Sequence, residues 1–302
     1  MEKWTKDNIP DLNGKIIIVT GGNSGLGFES VKAFAEKGAE VVMTSRSVDK
    51  GEEAKAKIGE VEGKINVMEL DLADFSSIRK FAGDFKKEYS RLDVLMNNAG
   101  IMLAPYFKTK DGLEAQNGIN HFGHFLLTAL LIDLLKKTPD SRIVNVSSNA
   151  HKYGEMDFDN LLFENGEGYS SMKSYARSKL ANLLFTYELQ RRLSRSGSGT
   201  IALAAHPGAS ATNLIKYIED KWWFKLFSWL LGMLAQSAEM GALPQIRASV
   251  DPDAEGGQYY GPHKSRKGYP VLVESNERSH NEEDAKKLWK VSEELTGVEF
   301  TV

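Results

Sequence analysis

An unbroken β-branched run, Ile16-Ile17-Ile18-Val19, leads straight into Thr20, a cluster of glycines and then a stretch with helical spacing. No polar residue alternates with the apolar ones, so the segment 15–20 predicts a strand buried on both faces. Such strands sit inside parallel sheets, and parallel neighbours are reached by helical crossovers. The rest of the chain keeps this rhythm. Strands are expected at 40–45, 64–70, 92–96, 141–148, 200–205 and near 258–260. Helices are expected at 28–37, 49–58, 75–89, 114–135, 168–193, 237–249 and 282–295. The pattern predicts an α/β fold: one doubly wound parallel sheet of about seven strands, with right-handed crossovers and helices on both faces.

The first strand-turn-helix unit is where chemistry enters. Gly21-Gly22-Asn23-Ser24-Gly25-Leu26-Gly27 follows the strand directly. Glycines there let the backbone approach a pyrophosphate, and the following helix offers free N–H groups and a partial positive charge. The spacing is Gly-x-x-x-Gly-x-Gly, not the commoner Gly-x-Gly-x-x-Gly. A tight turn without a ligand would use similar residues. The second strand ends at Ser45-Arg46, where a dinucleotide would place its adenosine ribose, and no carboxylate appears before Asp49. An acidic residue would select NAD. A guanidinium suits the 2′-phosphate of NADP, although Arg46 could also be a surface residue at a strand end. Asp71-Leu72 closes the third strand, where an adenine ring could rest. Asn97-Asn98-Ala99-Gly100 closes the fourth and suits a turn or close backbone approach to a ligand.

Later strands and helices carry further candidates. The 114–135 helix holds Asn120, a poor helix former in mid-segment, able to bridge backbone groups and a water or to serve as a core hydrogen bonder. His121 and His124 lie beside it, but no third ligand or carboxylate stands near, so helix packing accounts for them better than a metal. Ser147-Ser148 ends the fifth strand, at the edge where open parallel sheets bind ligands, although Ser-Ser is also ordinary turn chemistry. The segment 149–167 reads as a loop-like insertion with Met156, Phe158, Leu161, Leu162 and Phe163 as anchors. After it, Tyr175 and Lys179 stand four apart on a helix and share a face. A cation ~4 Å from a phenol, at an effective dielectric of ~20, is worth up to ~4 kcal/mol, or roughly 3 pKa units. A tyrosine tuned in this way can exchange a proton with an alcohol or carbonyl oxygen. A surface tyrosine beside a solvated lysine has the same spacing.

The segment 214–234 carries Trp222, Trp223, Phe224, Phe227 and Trp229 among other apolar residues. Core packing, an apolar substrate wall, an oligomer face and a membrane-surface helix all fit such a stripe. Composition narrows the field. A net charge of −3 leaves no electrostatic footprint for nucleic acid. The absence of cysteine rules out disulfides, thiolate metal sites and thiol nucleophiles, and suits a reducing, cytoplasmic setting. No secretory signal and no run of 18 apolar residues is evident, so a spanning helix is not expected.

Taken together, Thr20-Gly21-x-x-x-Gly25-x-Gly27, Asn97-Asn98-Ala99-Gly100, Asn120, Ser148, Tyr175-x-x-x-Lys179 and Pro207-Gly208 resemble the short-chain dehydrogenase/reductase family, a Rossmann-type fold. The match covers about 15–212. The stretches Asn120-His121-Phe122-Gly123-His124-Phe125-Leu126-Leu127-Thr128 and Tyr175-Ala176-Arg177-Ser178-Lys179-Leu180-Ala181-Asn182 are closest to its retinol dehydrogenase-like branch. Protochlorophyllide reductases share the long gap between Ser148 and Tyr175 but would imply a cysteine near the site, and this chain has none.

The resemblance implies one domain over 1–302. Its cofactor half lies at about 13–150, and the catalytic helix, substrate wall and C-terminal extension at about 151–302. It also implies NADP(H)-dependent hydride transfer to or from a small apolar alcohol, aldehyde or ketone. In the implied roles Ser148 hydrogen-bonds the substrate oxygen and Tyr175 is acid or base. Lys179 lowers the tyrosine pKa and holds the nicotinamide ribose, and Asn120 fixes a water on the proton path. Gly21, Gly25 and Gly27, with Leu26 between them, carry the pyrophosphate, and Asn23 and Ser24 donate to phosphates. Arg46 takes the 2′-phosphate, Asp71 and Leu72 flank adenine, and Asn97, Ala99 and Gly100 line the ribose side. Pro207, Gly208 and Thr212 line the nicotinamide. No metal is needed. The substrate pocket is expected from 149–167 and 221–234, with peripheral membrane contact through 222–234 as a further expectation. A homodimer or homotetramer is expected through the Asn120 and Tyr175 helices. A binding-only, redox-sensing protein is the alternative reading, and the full set of Ser148, Tyr175, Lys179 and Asn120 disfavours it.

Overall fold

Apolar strands flanked on both sides by helices need a sheet with two covered faces. The structure, a computed structural model, has that architecture and describes residues 3–209 and 236–302. Strands β1 (Ile16–Val19), β2 (Glu40–Ser45), β3 (Lys64–Glu69), β4 (Val94–Asn97), β5 (Arg142–Val146) and β6 (Ile201–Ala205) alternate with helices. Those helices are α1 (Gly25–Ala35), α2 (Val48–Ile58), α3 (Phe75–Glu88), α4 (Ala115–Asn117), α5 (Gly123–Lys137) and α6 (Ser171–Arg195). Then follow α7 (Ala238–Val250), β7 (Tyr259–Pro262), β8 (Pro270–Leu272) and α8 (Glu282–Thr296).

The strand order is β3-β2-β1-β4-β5-β6-β7-β8. Every pairing from β3 to β7 is parallel, and β8 pairs antiparallel with β7. Chain direction across the sheet reverses between β1 and β4, so the crevice beyond their C-terminal ends is the place for a ligand. The sheet has one strand more than expected. β8 is three residues long and begins with Pro270, paired with Pro262. Proline cannot donate to a ladder and is tolerated at an edge, so neither periodicity nor propensity marks this strand.

One core cluster packs Val31 and Phe34 of α1 and Leu243 and Ile246 of α7 against one face of the sheet, and Trp4, Ile9 and Leu12 of the N-terminal segment join it. The opposite cluster holds Phe81 and Phe85 of α3, Phe125 and Leu131 of α5, and Phe185 of α6. The single helix expected at 114–135 is interrupted: Gly118–Phe122 is a π-helical turn, in which the Gly123 N–H donates to the Gly118 carbonyl five residues back. The run Ala115–Lys137 is long and apolar enough by composition to cross a bilayer, yet 78% of its most apolar window is buried inside the fold, as a core helix would be.

α8 lies across the seam between α5 and α6. Trp289 meets Phe125 edge-on at 5.2 Å and lies 5.8 Å from Phe185, and Phe300 closes the group at 4.6 Å from Trp289. The Arg192 guanidinium caps the indole at 4.0 Å. Trp289 is 2% exposed, so Trp289→Ala should cost about 3–5 kcal/mol. Urea unfolding of the purified variant measures this; a loss under about 1 kcal/mol would show that α8 is only loosely attached.

Candidate active site

The crevice at the switch point is held open by glycine. Gly21 and Gly25 have φ of 64° and 55°, which a side chain rarely adopts. A Cβ on Gly27 would stand 2.3 Å from the Gly21 carbonyl oxygen, so only glycine lets the helix start this close to the turn. That accounts for α1 beginning at Gly25 rather than at Phe28, since glycines in a first turn hide the start from propensity. Ser24 is the N-cap, but its side chain makes no bond to the helix and no acidic residue stands in the first turn. The leading N–H groups are therefore left for an anion.

The turn faces a cleft of about 820 Å³. Gly21, Asn23, Ser24, Gly25, Leu26 and Gly27 line its floor. Arg46, Asp71 and Leu72 line the β2–β3 end, and Ala99 and Gly100 the β4 end. A glycine cradle against an uncapped helix N-terminus fits a dinucleotide. One further lining residue has no role in the sequence reading. Lys50 stands one helical turn beyond Arg46, and among the described residues neither has an ion-pair partner. Its signal was present: a lysine in the first turn of α2 opposes the helix dipole and so is not explained by the helix.

Of the two asparagines expected on the ribose side, Asn98 turns its side chain to the cleft. The Asn97 side chain points into the core, where its Nδ2 donates to Thr128 Oγ1 at 3.0 Å and Asn145 Oδ1 at 2.8 Å. Asn98 lines the cleft and donates from Nδ2 to the Thr20 carbonyl at 2.7 Å. Neighbours on a strand point to opposite sides, and two adjacent asparagines do not reveal which one faces out. Pro207 and Gly208 are not among the residues lining the cleft. Gly208 packs on the β7–β8 connection, where a Cβ would meet the Arg266 carbonyl at 2.4 Å. Thr212 and the aromatic segment 214–234, with its expected substrate wall and membrane contact, lie outside the described residues.

Gly100 joins the cleft to the proton-transfer group. A Cβ there would stand 2.9 Å from Asn120 Oδ1 and 3.6 Å from Lys179 Nζ. Asn120 sits in the π turn; its Oδ1 accepts the Ile101 N–H at 2.8 Å, and its Nδ2 donates to the Ile101 carbonyl at 3.0 Å and to Ser178 Oγ at 2.9 Å. Both amide protons are thus committed to protein groups. The serines at the end of β5 divide their work. Ser147 donates to the Lys179 carbonyl at 2.8 Å, which ties the strand end to α6. Ser148 stands close enough to Tyr175 to oppose the effect of burial on its phenol. The Ser148 oxygen accepts the Ala150 N–H at 3.2 Å, and the His151 ring donates to the Ser148 carbonyl at 2.6 Å.

Burial acts on both members of the Tyr175–Lys179 pair. Burial pushes the Tyr175 phenol up, and the Ser148 side chain opposes it. Burial also lowers Lys179 to about 8. The ammonium donates to the Val146 carbonyl at 3.0 Å and stands 5.8 Å from the centre of the tyrosine ring. Asn182 donates to the same carbonyl at 3.1 Å, so Val146 fixes the lysine on one side and α6 on the other.

The insertion before α6 is a buttress rather than a wall of this cleft. Leu161 packs with Leu180 and Leu184 of α6 and Leu288 of α8, with Met156, Phe158 and Leu162 alongside. Arg177 is fully buried and donates to the carbonyls of Glu155, Asn160 and Leu161 while lying over the Phe163 ring at 4.2 Å. The spacing of apolar anchors was legible, but not the surface they serve. His121 bonds Ser292 of α8 at 2.9 Å, and His124 bonds Thr20 at 2.9 Å and the Asn120 carbonyl at 3.1 Å.

With this geometry established, known proteins can be set beside the chain. A family model described as short chain dehydrogenase matches residues 15–160. The chain is 40% identical over 289 residues to retinol dehydrogenase 11 of Homo sapiens, covering 95% of this chain and 87% of that protein. It is 42% identical over 290 residues to retinol dehydrogenase 11 of Mus musculus, covering 95% and 88%. Among solved structures, an uncharacterized protein from Mycobacterium paratuberculosis superposes with a TM-score of 0.84 at 40% identity, covering 100% of both chains. RhlG of Pseudomonas aeruginosa, solved as an NADP complex, has a TM-score of 0.66 at 22% identity, covering 83% of this chain and 95% of that one, and shares the fold.

The buried imidazoles give a pH prediction. Burial lowers His121 to about 3, His124 to about 4 and His206 to about 3, from 6.5. Each stays neutral in the fold but takes up a proton in the unfolded chain below 6.5. The unfolded state binds more protons in between, so this stability is complete above pH 6.5 and is lost as the pH falls through 4 toward 3. The urea midpoint should drop between about pH 7 and about pH 5, above the range where most carboxylates titrate. A flat midpoint over that window would mean that the imidazoles are not held neutral.

Proposed function

Because the chain belongs to the short-chain dehydrogenase family, whose members transfer hydride between a CH–OH group and a nicotinamide cofactor, we propose that it is an NADP(H)-dependent enzyme for an apolar alcohol, aldehyde or ketone. The observation that carries the cofactor choice is the β2 end of the cleft. Arg46 and Lys50 line it together without ion-pair partners among the described residues, and the second strand brings no carboxylate to a ribose hydroxyl. Two unpaired cations favour a 2′-phosphate. The apolar substrate class is supported by relatives named retinol dehydrogenases at 38–42% identity. NADP as cofactor favours the reductive direction.

When bound, the nicotinamide supplies hydride in reduction and accepts it in oxidation. The chain's own residues handle the oxygen. Ser148 and Tyr175 polarise a carbonyl oxygen placed between them, and Tyr175 delivers the proton as an alkoxide forms. Lys179 stands behind Gly100, within reach of the ribose side of the cleft and of the proton path. Asn120 keeps the Ile101 backbone and Ser178 in place, which leaves a free lone pair on Oδ1 for a water. We take 13–150 as the cofactor half and 151–302 as the part that carries the catalytic helix and substrate segment. α8 already covers the seam between α5 and α6, so a second copy docking there would have to displace it.

Tyr175→Phe should lower kcat for carbonyl reduction by about 10²–10⁴-fold with NADPH affinity kept, as loss of a general acid does. Turnover surviving that change would make the protein a binder or move the proton donor elsewhere. Arg46→Asp should weaken NADPH relative to NADH by about tenfold or more, the worth of one hydrogen bond to a charged group, and Lys50→Ala should do so to a smaller extent. Competition titration reads this, and an unchanged preference would remove the phosphate role.

A further inference from the structure

His124 is buried, belongs to neither the cofactor cleft nor the Ser148–Tyr175 pair, and yet touches the framework of both. One ring nitrogen, Nδ1, faces the main-chain carbonyl of Asn120 at 3.1 Å. A carbonyl only accepts, so Nδ1 carries the proton. The other nitrogen, Nε2, faces Thr20 Oγ1 at 2.9 Å. In the neutral ring Nε2 is then bare and accepts the Thr20 hydroxyl proton. The burial that lowers this imidazole to about 4 keeps it neutral.

The same hydroxyl oxygen accepts the Asn98 N–H at 2.8 Å and the Ala99 N–H at 2.9 Å. A hydroxyl has one proton and two lone pairs; the two amides fill the lone pairs, and the proton goes to Nε2 at 2.9 Å in preference to the Met96 carbonyl, which stands farther off at 3.3 Å. Were Nε2 protonated instead, three N–H groups would compete for two lone pairs. The Nδ1–H tautomer gives the Asn120 carbonyl its donor and leaves Nε2 as the nearer acceptor for Thr20, and in it each contact fixes the next. The Asn98 and Ala99 amides belong to the turn that lines the cleft, and Asn98 also bonds the Thr20 carbonyl beside the glycines. The Asn120 carbonyl belongs to the π turn that carries the Asn120 side chain to Ile101 and Ser178.

We propose that His124 is a positioning residue: as its Nδ1–H tautomer it ties the Asn120 carbonyl to Thr20, and so sets the π turn of the proton path in one register with the β4 turn of the cofactor cleft. The catalytic significance of that register rests on the hydride-transfer reading above. The register itself belongs to the protein alone and can be measured without cofactor or substrate.

Three variants separate the two bonds. His124→Phe fills the space and keeps neither. His124→Asn can place a donor near the Nδ1 position and reach the Asn120 carbonyl only. His124→Gln can place an acceptor near the Nε2 position and reach Thr20 only. Hydrogen exchange of the Asn98 and Ala99 amides in the cofactor-free protein is the first readout. Exchange should quicken about tenfold or more in H124F and H124N, as expected for loss of one buried hydrogen bond, and stay near wild type in H124Q. The second readout is kinetic, with NADPH and a reducible aldehyde. kcat should fall about tenfold in H124F and in H124Q, while the Asn120 bond retained in H124N preserves more of it. Should H124F fail to fold, the contrast between H124N and H124Q still decides. Exchange and kcat within about twofold of wild type in all folded variants would overturn the proposal. Equal quickening in H124N and H124Q would also overturn it, because general loosening does not distinguish the two nitrogens. A wild-type protein without turnover on any carbonyl would sink the functional reading instead, and the exchange contrast would still judge the tautomer.

Discussion

One hydroxyl oxygen stands where the two halves of the sheet diverge. Thr20 ends β1 and receives two backbone N–H groups from the end of β4. These neighbouring parallel strands feed crossovers that leave in opposite directions, so the gap above them would otherwise splay. The bond closes it at the bottom, while the glycines keep it open at the top, because a Cβ on Gly21 would already meet Ala99 at 3.1 Å. Cleft shape is therefore set by a close approach of backbones rather than by a wall of side chains. Gln245 of α7 adds a tie from the far face, donating to Asn98 Oδ1 at 3.0 Å and Ser30 Oγ at 2.9 Å.

The proton-transfer group has a different origin. It depends on α6 being held rigidly from several directions. Ser147 binds the Lys179 carbonyl, Asn182 reaches back to Val146, and Asn120 grips Ser178. Near the helix start, Glu114 accepts from Ser174 at 2.8 Å, one residue before Tyr175. Arg177 nails the insertion to the helix, and α8 seals its other flank. A long helix with so little exposed surface keeps its side chains in place. The buried phenol and ammonium bear the electrostatic cost of that placement, and each shifts toward its neutral form.

Some of this was plain in the residues and some was not. Runs such as Ile16 to Val19 declare a two-sided strand because burial excludes every polar residue. The glycine turn and the Tyr175–Lys179 spacing are legible because few other residues or spacings serve there. Asn97 and Asn98 are not separable, since alternation on a strand gives two equivalent phases until a neighbour breaks the tie. The insertion showed its anchors but not their target, because Leu161 meets α8 across a large gap in sequence. Arg177 inside the catalytic motif gave no sign of binding three carbonyls, and Lys179 gave none of donating to the Val146 carbonyl. β8 was hidden by its own Pro270 and by Pro262 opposite it. In each case the deciding contact is non-local.

The π turn at Gly118–Phe122 bears on which changes of length this chain can absorb. A π rung holds one residue more than an α rung, and each helical residue turns the chain by about 100°. Removing a single residue there would let the segment relax into a continuous α-helix. Asn120 would then swing away from Gly100 and Ser178 by roughly a quarter turn or more, while α5 could keep its place in the core. A substitution at the same spot changes a side chain; a deletion changes which way the helix faces. The neighbourhood can therefore vary in composition far more readily than in length, whereas the surface connection at 196–199 can gain or lose residues without turning any functional group.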